Sequence, residues 1–363
     1  MSLKWLLVFI PVGIVLDWQN ANPIIVFAAS ALAIIPLASL VGDATEALAR
    51  YLGPTLGGFL NATLGNAPEI IIGFFALKQG LVEMVKASIT GSIIGNLLFG
   101  LGISFLACRI GGAAHNRKLV YDVDSARVHG GLLMLAMFGL IVPAVFDFST
   151  TSEREISLEI SIVLFVIYIL SVALTFFPDK PKVEEDDALE IVVKPEAVEE
   201  EEEGGWSRNK AIAILVTVTL TLAVMSEIMT DAVEPAAKSL GLTPLFVGVF
   251  LLAMVGNTAE LFNAVRFARN GQLDLSLGIT LGSSSQMALM VAPTLVFLGY
   301  YLEQDMNLLF SQFELIAVIM TIVAVLNLLQ AGQVKPKVGG LLIALYFILG
   351  FGFYYAPAIV AGG

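Results

Sequence analysis

Apolar residues fill long stretches of this chain, broken by short polar joints. At 1.5 Å rise per residue, about 20 helical residues cross a hydrocarbon core of about 30 Å. The pattern predicts helices over 3–16, 23–48, 54–77, 81–107, 126–147 and 155–177, then over 209–232, 243–268, 272–299, 310–330 and 337–360. The first is short, with Lys4 in front and Asp17-Trp18 behind. A signal peptide competes for that segment, but no convincing small-residue cleavage site precedes the next span, so it is read as a helix. The expectation is an all-α integral membrane protein of about 11 transmembrane helices. An extra N-terminal helix (1–20) precedes five helices (21–177), a linker (178–206) and five more helices (207–363).

Two stretches are interrupted in nearly the same words, Gly65-Asn66-Ala67-Pro68-Glu69 and Gly256-Asn257-Thr258-Ala259-Glu260. Each sets an ionisable carboxylate inside an apolar run, at a cost of about 2.5–3.5 kcal/mol on insertion scales. The offset of 191 positions from Glu69 to Glu260 also carries Gly57 onto Gly248, Lys78 onto Arg269, Gly80 onto Gly271, Gly91 onto Gly282 and Ser92 onto Ser283. Hydrophobicity alone does not produce matches in Gly, Asn, Glu and Ser. The chain contains an internal repeat.

Composition agrees with a membrane protein: 57% hydrophobic, 14% charged, mean hydropathy +0.87, against about 25% charged for soluble domains. The net charge of -12 is mostly local, because eleven of the 31 acids lie between Glu184 and Glu203 in the linker. Cys108 is the only cysteine, so no intrachain disulfide or CxxC site arises. The basic residues set an orientation. With a cytoplasmic N-terminus, all of the 19 except Lys78, Lys86, Arg154 and Lys238 fall on the inner side. The N-terminus and linker are therefore expected inside and the C-terminus outside. An odd number of helices per half then turns the second half upside down, an inverted repeat with broken helices that places a substrate near the midplane.

Pro68 removes its own N–H and clashes with the Leu64 carbonyl, so the helix over 54–77 is expected to break near Gly65. Freed carbonyls at that depth are tolerable only where they line a cavity or bind something. Asn66 adds an amide oxygen and Glu69 a carboxylate. Calcium takes six to eight oxygens of this mixture. Gly256, Asn257 and Glu260 supply the mirror set, although without the proline the bend there rests on Gly256 alone. Two carboxylates balance one divalent ion. His115 and His129 are the only histidines, which disfavours a soft transition-metal site.

The following helices carry a second tier. Ser92 and Asn96 share one face, and Ser283, Ser284, Ser285 and Gln286 occupy the corresponding place. Hydroxyls and amides there can ligate the ion or hold the carboxylates; the alternative is close helix packing. The ligand reading is favoured for Ser92, Asn96, Ser283 and Gln286, and packing for Ser284 and Ser285. Two further acids, Glu46 and Glu227, are read as buried. They either line the route and carry protons or sit idle at the membrane boundary.

A carboxylate in a low-dielectric site without a cation tends to hold a proton. Calcium needs both carboxylates ionised, so metal and protons compete for the same oxygens. If the protein switches its opening only when loaded, competition becomes exchange.

The paired motifs resemble the alpha-repeats of the cation/calcium exchanger superfamily. Gly91-Ser92-Ile93-Ile94-Gly95-Asn96 and Gly282-Ser283-Ser284-Ser285-Gln286 are similar to its calcium/proton antiporter (CAX) branch. So are the extra first helix and the acidic linker, and the resemblance covers nearly the whole chain. It implies calcium coordination by Glu69 and Glu260, with helpers among the neighbouring Asn, Ser and Gln and pore-lining roles for Glu46 and Glu227. Many members carry His directly after the second Glu. Here that place is Leu261, and no proton role of that His carries over. For the acidic run the resemblance implies a short helix; its composition reads as a solvated linker.

A sodium/calcium exchanger of the same fold is the nearest rival. Met287 stands opposite Asn96, which leaves fewer ligands for several ions and favours protons. A channel is disfavoured by two unequal halves, and an intramembrane enzyme by the lack of HExxH or a Ser-His arrangement. The expected partners are calcium, protons and the lipid bilayer, with no nucleic acid, no cofactor and homo-oligomerisation left open. The short N-terminus favours a prokaryotic cytoplasmic membrane.

Overall fold

A computed structural model describes residues 3–110, 120–146, 153–174, 206–333 and 335–356. His115, Arg117, Lys118 and the acidic run lie outside the described residues. The helices are α1 (Phe9–Trp18), α2 (Pro23–Leu64), α3 (Ala67–Lys78), α4 (Val82–Ile94), α5 (Leu101–Ile110), α6 (Val123–Phe146) and α7 (Glu153–Leu174). After the linker come α8 (Arg208–Leu240), a short α9 (Pro244–Phe246), α10 (Ala253–Arg269), α11 (Leu273–Gln286), α12 (Ala292–Tyr301), α13 (Gln312–Leu329) and α14 (Pro336–Tyr355). Three joints stay helical but widen into π turns, over Gly95–Gly100, Val247–Leu252 and Met287–Val291. Among the described residues, nine stretches are long and apolar enough to cross a membrane.

The expected spans 23–48 and 54–77 meet differently from the prediction. No loop separates them: α2 continues to Leu64, and only Gly53 leaves helical geometry, with φ 76° and ψ 173°. Pro54 follows it, and the residue before a proline is pushed away from the α region. The expected break does occur, at Gly65-Asn66 between α2 and α3. Its counterpart does not. Asn257 and Glu260 lie inside an unbroken α10, and the local distortion is the π turn before that helix. Ala259 stands where Pro68 stands in the first half. A lone glycine weakens a helix by about 1 kcal/mol without breaking it.

The offset of 191 reappears in the coordinates. α4 and α5 map onto α11 and α12 to within one residue at each end, and the π turn between them maps likewise. Gly80 and Gly271 both take the left-handed conformation (φ 74° and 81°) that closes the preceding helix, a role suited to glycine. The packing obeys the same exchange. α2 packs on α8; α3 on α8 as α10 on α2; α4 on α13 as α11 on α6; α5 on α14 as α12 on α7. Swapping the halves maps these contacts onto one another, a two-fold relation that the contact of α4 with the Val247–Leu252 turn does not share.

Burial follows from that arrangement. In the most apolar 18 residues of Val82–Cys108 and of Leu273–Tyr301, 78% are buried, against 22% for Glu155–Leu174 and Pro336–Tyr355. The α4–α5 and α11–α12 helices therefore form the centre, and α7 and α14 face outward. The outer faces expose Phe138, Val163, Leu220, Ile316, Leu341 and Phe351, side chains that lipid solvates and water does not. Trp5, Trp18, Tyr301 and Tyr355 are exposed near helix ends, as in the aromatic belts of membrane proteins. The protein is a membrane protein.

Glycines let the two halves touch backbone to backbone. A Cβ at Gly91 would overlap the Val249 backbone, and one at Gly248 would overlap Ala87 Cβ and the Met84 carbonyl. Overpacking of this kind costs about 1–3 kcal/mol. Gly248→Ala is expected to lower the melting temperature of the detergent-purified protein. Gly340→Ala, with nothing within 4 Å, is expected to leave it unchanged.

Candidate functional site

The break between α2 and α3 determines where the first carboxylate goes. Asn66 stands at the N-cap position of α3, with Pro68 and Glu69 in the first turn. A helix start carries positive partial charge and unbonded N–H groups, which favour a carboxylate. Glu69 is buried, and its Oε2 has no hydrogen-bond partner. Its side chain lies against Gly256 of the opposite motif: a Cβ there would sit 3.2 Å from Glu69 Cγ and 3.4 Å from Oε1. Gly256 thus provides space for the Glu69 side chain. Within an unbroken helix, its own carbonyl belongs to the i to i+4 ladder.

Glu260 comes from the middle of α10. Ser283 and Asn96 lie beside its carboxylate, and its Oε2 is buried without a partner. Glu69 and Glu260 are close enough to interact electrostatically. A buried polar atom without a partner is uncommon in a folded protein and calls for an explanation. Here two such atoms belong to symmetry-related carboxylates.

Amides join the halves around them. Asn66 Nδ2 donates to Gln286 Oε1 at 2.5 Å. Asn96 Nδ2 donates to Ser283 Oγ at 2.9 Å and to Asn257 Oδ1 at 3.5 Å. Each motif asparagine therefore meets an amide at the π turn of the other half. Asn257 Nδ2 also donates to the Ala253 carbonyl at 2.9 Å, which fixes its oxygen toward Asn96. Ser92 lines a small cavity with Glu69, Ser88, Gly256 and Met287. A second cavity is lined by Gly91, Gly95, Asn96, Asn257, Leu261 and Tyr346, so Leu261 puts an apolar group beside the amides.

The structure thus brings together Glu69, Glu260, Asn66, Asn257, Asn96, Gln286, Ser92, Ser283 and Gly256. Gly65 supplies the chain break next to them. Ser284 and Ser285 donate to the Thr280 and Gly282 carbonyls at 2.8 Å, which is a helix-internal use. Glu46 and Glu227 are not buried, contrary to expectation. The Glu46 side chain is 65% exposed and pairs with Arg50 one turn on, at 3.0 Å. Glu227 is 42% exposed and pairs with Lys78 at the end of α3, at 2.7 Å. Each is exposed and paired with a cation, so neither is a buried, unpaired charge.

Sequence reasoning missed Ser88, whose only signal is its position one turn before Ser92. It also missed the buried groups Lys86, Thr90 and Glu314. Ser311 and Glu314 do form the capping box that their spacing allows. Among the described residues no three His, Cys, Asp or Glu gather as a metal cluster. The donors at the centre are two carboxylates with amides and hydroxyls, a set for a hard cation.

Comparison with known proteins agrees with this chemistry. The model of the family described as sodium/calcium exchanger protein matches residues 22–177 and 210–355. A Ca(2+)/H(+) antiporter of Aphanothece halophytica is 37% identical over 366 residues, covering 98% of this chain and 96% of that protein. The crystal structure of the Ca2+/H+ antiporter YfkE superposes with a TM-score of 0.80 at 31% identity, covering 96% of this chain and 97% of that one. The sodium-calcium exchanger NCX_Mj gives a TM-score of 0.54 at 17% identity, covering 90% and 97%, a likeness of fold alone.

The Lys78–Glu227 pair, with Gln79 bonded to Asp231 beside it, ties α3 to α8 across the halves. Cysteines at positions 78 and 227, in a Cys108→Ala background, are expected to be joined within one chain by a short bis-thiol reagent. Peptide mapping reads the result; Glu46 and Glu227 replaced together should give no such link.

Proposed function

Because the chain belongs to the sodium/calcium exchanger family, we propose that it exchanges calcium for protons across a membrane, with Glu69 and Glu260 as the shared binding groups. The observation that carries this reading is the pair of carboxylates, one from each half, each with a buried oxygen that no protein donor satisfies. Two carboxylates this close need protons or a cation between them. One divalent ion balances both charges, and two protons do the same. Asn66, Asn257, Asn96, Gln286, Ser92 and Ser283 supply neutral oxygens or orient the carboxylates. Gly65 and Gly256 give the chain break and the room that the site requires.

The topology proposed from the basic residues puts the N-terminus and acidic linker in the cytoplasm and the C-terminus outside, in a bacterial cytoplasmic membrane. The extra helix (1–20), the halves 21–177 and 207–363, and the linker between them then form an inverted repeat working by alternating access. Glu227 and Glu46 stand at opposite ends of the route, each beside a basic residue that an arriving cation displaces. Met287, buried against the cavity, occupies the place of Asn96 in the second half. A site with one fewer oxygen ligand suits a single divalent ion over several sodium ions.

The test is calcium uptake into proteoliposomes under an imposed proton gradient and, separately, a sodium gradient. Proton-driven uptake lost in Glu69→Gln and in Glu260→Gln is the expected result. Uptake driven by sodium alone would move the assignment to a sodium/calcium exchanger, and near-normal uptake in either variant would remove these carboxylates from the site.

Competition also fixes a sign for pH. Lowering the pH loads protons onto the oxygens that calcium needs, so apparent calcium affinity falls. If two protons leave per ion bound, it falls by up to about a hundredfold per pH unit in the range where both sites are protonated. Calcium titration by calorimetry at several pH values measures that slope, and a flat profile would contradict the shared-site reading.

A further inference from the structure

A second buried polar cluster lies one helix face away from the carboxylates and takes no part in the chemistry described above. Thr90 Oγ1 donates to Glu314 Oε1 at 3.0 Å. The other oxygen, Oε2, accepts from the Ser311 backbone N–H at 3.0 Å and from Ser311 Oγ at 2.7 Å. One turn earlier on α4, Lys86 Nζ donates to Asn307 Oδ1 at 3.1 Å and lies 3.6 Å from Glu83. Its charge also acts on Glu314. Glu314 is 2% exposed, Thr90 1% and Lys86 7%. These groups join α4 to α13 and to the segment before it.

Only the first half has this arrangement. The offset of 191 carries Lys86 onto Leu277 and Thr90 onto Leu281, both buried and apolar, and carries Val123 onto Glu314. The equivalent packing of α11 on α6 therefore lacks the charged anchor. The position of α4 matters for the centre, because Ser88 and Ser92, two residues either side of Thr90, line the cavity with Glu69. On another side, Gly91 touches the Val249 backbone. α4 is held between a close backbone contact and a hydrogen-bonded carboxylate, and both set how Ser88 and Ser92 meet Glu69.

We propose that Thr90 and Glu314, with Lys86 behind them, are positioning residues that hold the serine face of α4 against Glu69 and thereby set calcium affinity. This rests on the central carboxylates being the calcium site. The hydrogen bond from Thr90 to the Glu314 carboxyl is the element that fixes the helix; its loss lets α4 rotate or shift without removing any ligand.

The experiment uses the full chain, in detergent for calcium binding by calorimetry and in proteoliposomes for transport. Thr90→Val keeps the shape and removes the donor. The expected result is calcium affinity weakened about tenfold, with KM raised in step and kcat changed less than about twofold. Thr90→Ser should restore the wild-type values, and Glu314→Gln should resemble Thr90→Val. Unchanged affinity and KM in Thr90→Val and Glu314→Gln would overturn the proposal, whatever happens to the melting temperature. Glu69→Gln serves as the separate arm. If it loses calcium binding while Thr90→Val does not, the positioning role alone fails; if it binds calcium normally, the central-site reading fails and takes this proposal with it.

Discussion

Two interacting carboxylates, each with a buried oxygen that lacks a protein partner, are the constraint on which the rest of the structure depends. Placed alone, each would repel the other and neither would be solvated. The chain answers by giving them unequal surroundings. Glu69 begins a helix, where backbone dipoles favour negative charge, and lies against Gly256. Glu260 sits mid-helix, where no such help exists, and instead has Ser283 and Asn96 beside it. Both keep one oxygen without a protein partner. A site fully satisfied by its own side chains would have little reason to bind an ion, and the proposed function uses these two oxygens.

Bringing carboxylates from separate halves together requires close approach of backbones. Gly91 and Gly248 remove side chains where α4 meets the Val247–Leu252 turn, and the motif asparagines reach across to amides at the opposite π turns. A π turn offsets the helix by one residue, a distortion often found at functional sites. Here two of the three π turns begin beside Asn96 and Met287, at equivalent places in the repeat. The widened turns and the amide bonds occupy the same positions, so the distortion and the polar contact belong together.

Much of this was legible in the sequence. Apolar runs located the helices to within a few residues at most ends, because in lipid a backbone has to satisfy its hydrogen bonds within the helix. The repeat was legible because Gly, Asn, Glu and Ser are expensive or special in such runs. Pro68 announced the break at Gly65-Asn66. The rest needed three-dimensional neighbours. The spans 23–48 and 54–77 read as separate helices, yet one residue with positive φ, Gly53, suffices to turn a continuous α2. Glu46 and Glu227 looked buried because they lie in apolar sequence, but Arg50 and Lys78 stand beside them, the latter from another helix. Glu314 begins a predicted helix, and nothing local shows that Thr90 lies over it. No residue type marks a π turn.

The repeat also limits what symmetry can achieve. If the two open states of an exchanger are related by exchanging its halves, identical halves would make those states equal in free energy. Their populations then depend on contacts that the exchange does not reproduce. In this chain the frame is symmetric and the contents are not. Thr90 and Lys86 face Glu314 and Asn307, where the mirror positions of the first two are Leu281 and Leu277. Glu227 holds Lys78, while its mirror is Pro36. The α4 contacts thus have apolar counterparts in α11, whereas Lys78 keeps a basic counterpart in Arg269 and only its carboxylate partner is not repeated. Under the proposed function the shared motifs supply the ion's ligands, and the unshared residues make the two halves unequal.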